Sequence, residues 1–446
     1  MYGEETVRRL AETILAASEA DQTEVVFVGT SASLTRFANN TIHQHVAETG
    51  GEVTVRAVLG KRIGIASGNR LDADGVREIA ARAVAIARLQ PEDPTFVSLP
   101  APMAWERAHS YCQATAQATP VRRAEGVATI VRRAQERGFQ AFGHFSTETS
   151  ELAVFSSLGT ATYHAGTVAE ISTVAMSDSG SGYASAVSTD VTVLDPEAIA
   201  ARAVDLCARN VDQAMLPPGE YEVLLEPPAV AELLDFMAGD GFNGLAFEEQ
   251  RSFMNGRLGE RLLSPKVSIW DDGHDRRGLP LPFDFEGVPK RRTVFIDRGV
   301  AKEVAHDSAT AARAGTLSTG HALPPPNTFG PVPVNLFMAN GDARSREEMV
   351  REIERGVWVT RFWYVNLLHP LSLTLTGMTR DGTFLIEHGE VKSAVHNLRF
   401  TQSVVEALGD VRALSTDLAL QRSWLGATLV PAVHLGRFTF TGATKE

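Results

Sequence analysis

Apolar positions in the first residues of the chain recur at helical spacing. Val7, Leu10, Ile14 and Leu15 share one side of a segment running from about residue 4 to residue 20, which predicts an amphipathic helix. The period then drops to two. Glu24 to Gly29 (EVVFVG) reads as buried strand, and Ser33 to Asn39, Ile42 to His45, Gly51 to Leu59 and Arg62 to Ser67 read as further strands punctuated by Asn, Gly and Lys. Asp72 or Asp74 is placed to cap a second helix, whose Val76, Ile79, Ala83, Val84 and Ile86 return to helical spacing up to about Leu89. From Gln90 to Met103 repeated prolines deny the chain both helix and ladder bonds, so this stretch is expected to be a linker. A helix follows over Pro120 to Arg137. Phe139 to Leu194 then alternates Ser, Thr and Val in the manner of an antiparallel meander, and Asp195 to Gln213 closes as a helix with Pro196 in its first turn.

The remaining chain, from about Leu216, opens on a strand-like run, Tyr221 to Leu225, stopped by Glu226-Pro227-Pro228. A buried helix is expected next, through Val230, Leu233, Leu234 and Met237. Gly239, Gly241 and Gly244 break its pattern within a few residues, in a stretch that carries Asp235, Asp240, Asn243, Glu248, Glu249 and Arg251. Carboxylates and amides on irregular backbone directly after a buried helix suit a functional site. A helix end running into a solvated loop would show the same residues. Further on, a strand is expected at Pro333 to Met338, a helix from about Ser345 to Gly356, and sheet-like alternation from Arg361 through Ile386. The expected fold class is α+β. It comprises a helix-flanked antiparallel sheet domain (1–90), a middle region of linker, helix, β-meander and helix (91–215), and a mostly antiparallel, barrel-like β domain with a few helices (216–446).

Composition narrows the function classes. The chain has 446 residues and a net charge of −12, with Lys and Arg scattered; phosphate backbones call for a basic stripe, so no nucleic-acid partner is expected. Its two cysteines, Cys112 and Cys207, have no CxxC spacing, which points away from a disulfide framework and toward a reducing, cytoplasmic setting. The N-terminus mixes charged and apolar residues and no segment reaches the length of a membrane span, so neither export nor a membrane partner is expected. The run Ser177 to Gly182 is a turn, because a phosphate loop needs a strand, a lysine and a helix around it. There is no Gly-x-Ser-x-Gly elbow for a serine nucleophile.

Several stretches resemble the TldD/PmbA family, whose members are also called modulators of DNA gyrase. They include RFANNTIHQ (Arg36 to Gln44), ASGNRLDADGVREIAARAVAIAR (Ala66 to Arg88), RSFMNGRLGERLLSPKVSIWDDG (Arg251 to Gly273), the run Phe285 to Thr293, and Gly320 to Asn327. The resemblance spans nearly the whole chain and is weakest in the middle. In proteolytic TldD-type members the helix carries His-Glu-x-x-x-His, in which two imidazoles hold zinc and the glutamate works on the bound water. This chain has Asp235, Phe236 and Asp240 at those places. The family's further cysteine ligand falls at about Ser423. The gyrase label gains nothing from the acidic composition.

The resemblance therefore implies a PmbA-like (TldE-type) subunit without catalytic residues, metal ligands or cofactor of its own. Zinc is expected in a TldD-like partner bearing the intact motif, in a heterodimer or homodimer that encloses unfolded or modified peptide, held in part by strand addition at a sheet edge. Asp235, Phe236, Asp240, Asn243, Arg251, His306, Asp307, Arg361 and His369 are the candidate cleft residues. Two other readings stay open. Asp235, Asp240, His306, Asp307 and His369 make an oxygen-rich set that would suit magnesium or manganese in an autonomous hydrolase. A peptide-binding regulator with no protease partner is the other. His306-Asp307 and Arg361 could orient a substrate carboxylate, or His306 could be a buried, hydrogen-bonded histidine. Arg361-Phe362-Trp363-Tyr364 is either contact surface or core.

Overall fold

The computed structural model describes residues 1–341 and 345–444. The helix Glu4–Ala17 leads into three strands, β1 (Gln22–Ala38), β2 (Thr41–Leu59) and β3 (Arg62–Gly68), and then the helix Ala73–Leu89. Asp72 caps that helix by accepting from Gly75 N at 2.8 Å. After the proline-rich crossing come the helix Pro120–Gln135, strands β4 (Gln140–Ser156), β5 (Ala161–Met176) and β6 (Ser181–Ser188), and the helix Pro196–Arg209.

These six strands form one antiparallel sheet in the order β3-β2-β1-β4-β5-β6. The segments before and after residue 90 thus share a sheet, joined where β1 pairs with β4 from Glu24↔Ser156 to Phe37↔Gly143. Ser33 to Ala38 is part of β1 and Ile42 to His45 part of β2, so the short separate strands expected there are long continuous ones. Only the turn at Asn39 and Asn40, both at positive φ, interrupts them. Asn40 fastens that turn to the start of β4: Ala141 N donates to its Oδ1 at 2.7 Å and its Nδ2 donates to Phe139 O at 3.0 Å.

Alternation along the strands gives the sheet two different faces. Val25, Phe27, Val53, Val55, Ala153 and Phe155 pack under the helices Glu4–Ala17 and Ala73–Leu89. Phe37, Phe145 and Ile171 pack with Val127 and Ile130 of the helix Pro120–Gln135. The opposite face sets Val26, Leu152 and Val154 against Phe283 of the C-terminal part. Across that contact Arg56 Nη2 meets Glu24 Oε1 at 2.7 Å and Glu286 Oε1 at 3.2 Å.

The C-terminal part holds eleven strands in one sheet. They are β7 (Gly219–Leu225), β8 (Ile269–Asp271), β9 (Thr293–Asp297), β10 (Val300–Ala301), β11 (Asn335–Met338), β12 (Arg355–His369), β13 (Thr374–Glu387), β14 (Glu390–Ala394), β15 (Leu398–Ser403), β16 (Val411–Arg422) and β17 (Ala427–Ala443). The pairings β11–β17 and β12–β7 are parallel and the others antiparallel. Because β7 pairs with both β12 and β17, the sheet curls back on itself, barrel-like, while β8, β9 and β10 continue from β11 as an open arm. The helix Pro227–Phe236 fills the concave side with Ala229, Val230, Leu233 and Leu234. The helix expected over Ser345 to Gly356 is shorter, Arg346–Arg351, since Val357 and Val359 are drawn into the core as part of β12.

Candidate functional site

The helix Pro227–Phe236 does not stop at the glycines. It widens into a π turn over Met237–Gly241, closed by Phe242 N donating to Met237 O at 2.7 Å. Asp235 and Asp240, five residues apart, would point to different sides of a regular α-helix; a turn closed five residues on brings them to the same side. Two glycines permit this path by close approach. A Cβ on Gly241 would stand 2.4 Å from the Phe253 ring, and one on Gly244 would stand 2.4 Å from Ala305 O. Asn243 then caps the short helix Gly244–Glu248, accepting from Leu245 N at 2.9 Å and Ala246 N at 3.2 Å, and its Nδ2 donates to Phe329 O at 2.8 Å.

Asp235, Phe236 and Asp240 line a cavity of about 420 Å³ together with Glu232, Phe329, Val332, Pro333, Arg422, Ser423 and Trp424. Burial pushes the Asp235 carboxyl up to about 7, against hydrogen bonds from Ser423 and Thr428 that pull it down. The Thr428 Oγ1 bond to Asp235 Oδ1 is 3.1 Å. Burial also raises Asp240, opposed by Arg251, and raises Glu232, opposed by Arg361. Among the described residues, none of these three carboxylates has a cation within ion-pair distance. The site is thus an apolar-walled cavity with acids on one side, and its most buried aspartate takes up a proton near neutrality.

The other candidates lie elsewhere. Asn243 acts on the cavity from behind, by holding the Phe329 segment. Arg251 is exposed and pairs with Glu249, its Nε donating at 2.9 Å. Asp307 caps the helix Ser308–Ala314, accepting from Thr310 N at 2.8 Å, and His306 Nδ1 faces Thr310 Oγ1 at 3.2 Å. The Arg361 guanidinium is taken by Asp381, with Nε at 2.7 Å. His369 is exposed at the end of β12. Of the set Asp235, Asp240, His306, Asp307 and His369, only Asp235 and Asp240 share the cavity.

A zinc ion does not fit this donor set. The cavity wall offers carboxylates and the Ser423 hydroxyl, with no imidazole and no thiol, whereas zinc sites are built from nitrogen and sulfur with few oxygens. Among the described residues, no three His, Cys, Asp or Glu side chains are grouped to hold a metal ion.

A second constellation went unpredicted. Asp271, Lys290 and His321 come from three separate stretches of the C-terminal part and meet in the core, each side chain almost wholly buried. Asp271 Oδ2 accepts from Val334 N at 3.0 Å and Asn335 N at 2.8 Å, which fixes the segment that supplies Val332 and Pro333 to the cavity wall. Its Oδ1 faces Lys290 Nζ at 3.6 Å and His321 Nε2 at 3.2 Å. Burial alone would raise the Asp271 carboxyl, yet Lys290 and His321 hold it at about 2. Burial, with Lys290 beside it, lowers His321 to about 4, so the imidazole is neutral at pH 7. An alternating pattern could not reveal this triad, because its members are more than ten residues apart and each stands in a loop or short strand.

Comparison with known proteins places the chain. The PmbA/TldA metallopeptidase C-terminal domain matches residues 218–442, and domain 1 of the same group matches residues 23–87. The metalloprotease TldD homolog of Haemophilus influenzae is 25% identical over 203 residues, covering 45% of this chain and 41% of the relative. Metalloprotease PmbA of Escherichia coli O157:H7 is 24% identical over 238 residues, covering 51% and 49%. The matched stretch thus spans half or less of these curated relatives. The crystal structure of TldE from Thermococcus kodakarensis superposes with a TM-score of 0.88 at 23% identity, covering 98% of this chain and 99% of that one, which shows a shared fold. With residues 218–442, just over half of this chain, matched by the C-terminal domain and residues 23–87 by domain 1, this chain belongs to the PmbA/TldD metallopeptidase family.

Proposed function

We propose that this chain is a non-catalytic, PmbA- or TldE-like subunit of a cytoplasmic TldD/PmbA-type metallopeptidase assembly acting on unfolded or modified peptides. The observation that carries the reading is the chemistry of the cavity. Its helix and π turn set two side chains facing one space, and those side chains are Asp235 and Asp240, with Phe236 beside them. Phenylalanine cannot take a proton from an attacking water, and a half-neutral aspartate is a poor zinc ligand. Phe236, Phe329 and Trp424 instead offer the apolar wall that captures a peptide side chain, with catalysis supplied by a partner subunit bearing the intact motif. No helix among the described residues is long and apolar enough to cross a membrane.

The test is turnover of an unfolded peptide by this chain, by a family partner with His-Glu-x-x-x-His, and by the mixture, with metal content measured on each. This chain alone is expected to hold less than stoichiometric zinc and to cleave nothing. The mixture is expected to exceed the partner alone, and the gain should vanish when the partner's motif glutamate is changed. Metal-dependent turnover by this chain alone, lost in Asp235→Ala, would overturn the reading in favour of an autonomous hydrolase. Peptide binding with no gain in any mixture would leave a binding protein.

A further inference from the structure

Glu226, the residue that precedes the helix Pro227–Phe236, is buried and meets a group of arginines. Its Oε1 accepts from Trp358 Nε1 at 2.8 Å and from Arg346 Nη1 at 3.1 Å, and Arg202 reaches the same oxygen. The Trp358 indole, 3% exposed, is the floor of this group: the guanidinium carbons of Arg202, Arg209 and Arg346 lie 5.6, 4.9 and 5.6 Å from its ring centroid. Arg209 also lies over Phe384, at 5.4 Å. One carboxylate oxygen thus serves two guanidinium groups, and the third is held by aromatic rings.

Arg209, Arg346 and Trp358 line a surface pocket of about 280 Å³ together with Arg351, Val350 and Val391. Its walls are fixed by backbone bonds. Gly389 N donates to Ile353 O at 3.0 Å and His388 N to Glu354 O at 2.7 Å, which pins the turn between β13 and β14 to the segment after the helix Arg346–Arg351. Gly389 has φ 75°, and a Cβ there would stand 2.8 Å from Arg351 O, so a glycine is what lets the turn come this close.

The donors of this pocket are not all used. Its two lining carboxylates are engaged, Glu347 with Arg346 Nη2 at 3.0 Å and Glu390 with Lys392. Among the described residues Arg351 has no ion pair or side-chain hydrogen bond, and Arg209 has only Asp205, 3.6 Å away and four residues earlier on its own helix. A guanidinium carries all its N–H donors in one plane, so Arg209, lying over two rings, keeps that rim for a partner. The unfilled donors stand on two separate elements, the end of the helix Pro196–Arg209 and the end of the helix Arg346–Arg351. A carboxylate offers two coplanar oxygens and is satisfied by a single guanidinium fork, whereas donors arriving from separate elements suit a tetrahedral oxyanion. The volume lies at the small end of ligand pockets, which sizes the occupant as a small molecule and not a polymer.

We infer that this pocket binds a small phosphate-bearing molecule, whose phosphoryl oxygens are taken by Arg209 and Arg351, with Arg346 adding its charge above the Trp358 floor. The site stands at the base of the helix whose far end carries Asp235, and Arg346 links the two through Glu226. It shares no lining residue with the Asp235 cavity and does not rest on the functional reading above.

Isothermal titration calorimetry on the purified full chain, at constant ionic strength in chloride buffer, tests it with inorganic phosphate, pyrophosphate and glycerol 3-phosphate as probes. At least one probe is expected to bind with one site per chain and to raise the melting temperature. Arg209→Gln and Arg351→Gln, both at partly exposed side chains, should each raise the Kd about tenfold or more, as loss of a charge-assisted bond does. Arg209→Lys keeps the charge without the fork and should recover only part of the loss. Arg257→Gln, at an exposed arginine elsewhere, should bind as the wild type does. Melting temperatures equal to the wild type in the absence of phosphate keep misfolding apart from lost binding. No binding of any probe beyond that of chloride overturns the inference, as does binding undiminished in both glutamine variants. Glutarate bound as tightly as pyrophosphate would overturn the assignment to phosphate chemistry.

Discussion

Asp235 and Asp271 are both largely shut off from water in the same C-terminal part, and their carboxyls move in opposite directions. Asp271 stands against Lys290 and His321 and is held at about 2, whereas Asp235 has only the hydroxyls of Ser423 and Thr428 and is pushed to about 7. Desolvation raises both; what separates them is a buried cation at one and none at the other. The first aspartate is a structural tie, charged at every ordinary pH, that anchors the backbone of Val334 and Asn335. The second is left uncompensated in the wall of a cavity, the situation of a group whose environment is completed by something from outside.

The largest effect that could break this contrast is at Asp271. Replacing it by Ala strands Lys290 in the core and should cost about 3–5 kcal/mol, read from urea unfolding. Asp271→Asn/Lys290→Met, which removes both charges, should recover a large part of that loss; equal damage in both variants would show that packing, and not the charge pair, ties this region. A smaller effect of the opposite sign is expected at Asp235. Its folded value lies above the unfolded one, so its contribution to stability is fully present below about pH 4 and is lost as pH rises toward 7. Asp235→Asn escapes that loss. Relative to wild type it should gain stability between about pH 4 and 7 and hold the gain above. The full shift would carry about 4 kcal/mol, and about 2 is expected because the carboxyl partly faces the open cavity. A difference between the two proteins that does not change with pH would remove the contrast altogether. The smallest effect sharpens it. Thr428→Val takes away one hydrogen bond to the ionised form and should move the pH at which wild-type stability levels off upward by about half a unit, for a loss of about 1 kcal/mol. A downward move would mean that Thr428 serves the protonated form.

Much of this could be read from residue patterns and much could not, for reasons that differ by place. The helix through Val230, Leu233 and Leu234 was legible because one amphipathic period dominates its residues. The π turn that follows was not, since Gly239, Gly241 and Gly244 announce only that the backbone departs from regularity, and the path it takes is decided by contacts with Phe253 and Ala305. Asp235, Phe236 and Asp240 could be singled out because they sit where a resembling motif has other residues. Phe329 and Glu232 carried no such signal. Phe329 reaches the cavity through the Asn243 side chain, 86 residues earlier in the chain. His306, Asp307 and Arg361 looked like free chemistry in one dimension, but a helix cap and a partner at Asp381 already occupy two of them.

The six-stranded sheet bears on how the protein comes to be made. Its central strand β1 pairs locally with β2 but finds its other neighbour only at β4, where Glu24 lies opposite Ser156. During synthesis the first hairpin emerges with one long edge open, and that edge stays open until β4, which begins at Gln140, long after β2 ends at Leu59, has left the ribosome. A late-closing ladder of this kind slows folding and leaves a strand-pairing template exposed for seconds, which gives a nascent chain a need for protection that the finished molecule does not show.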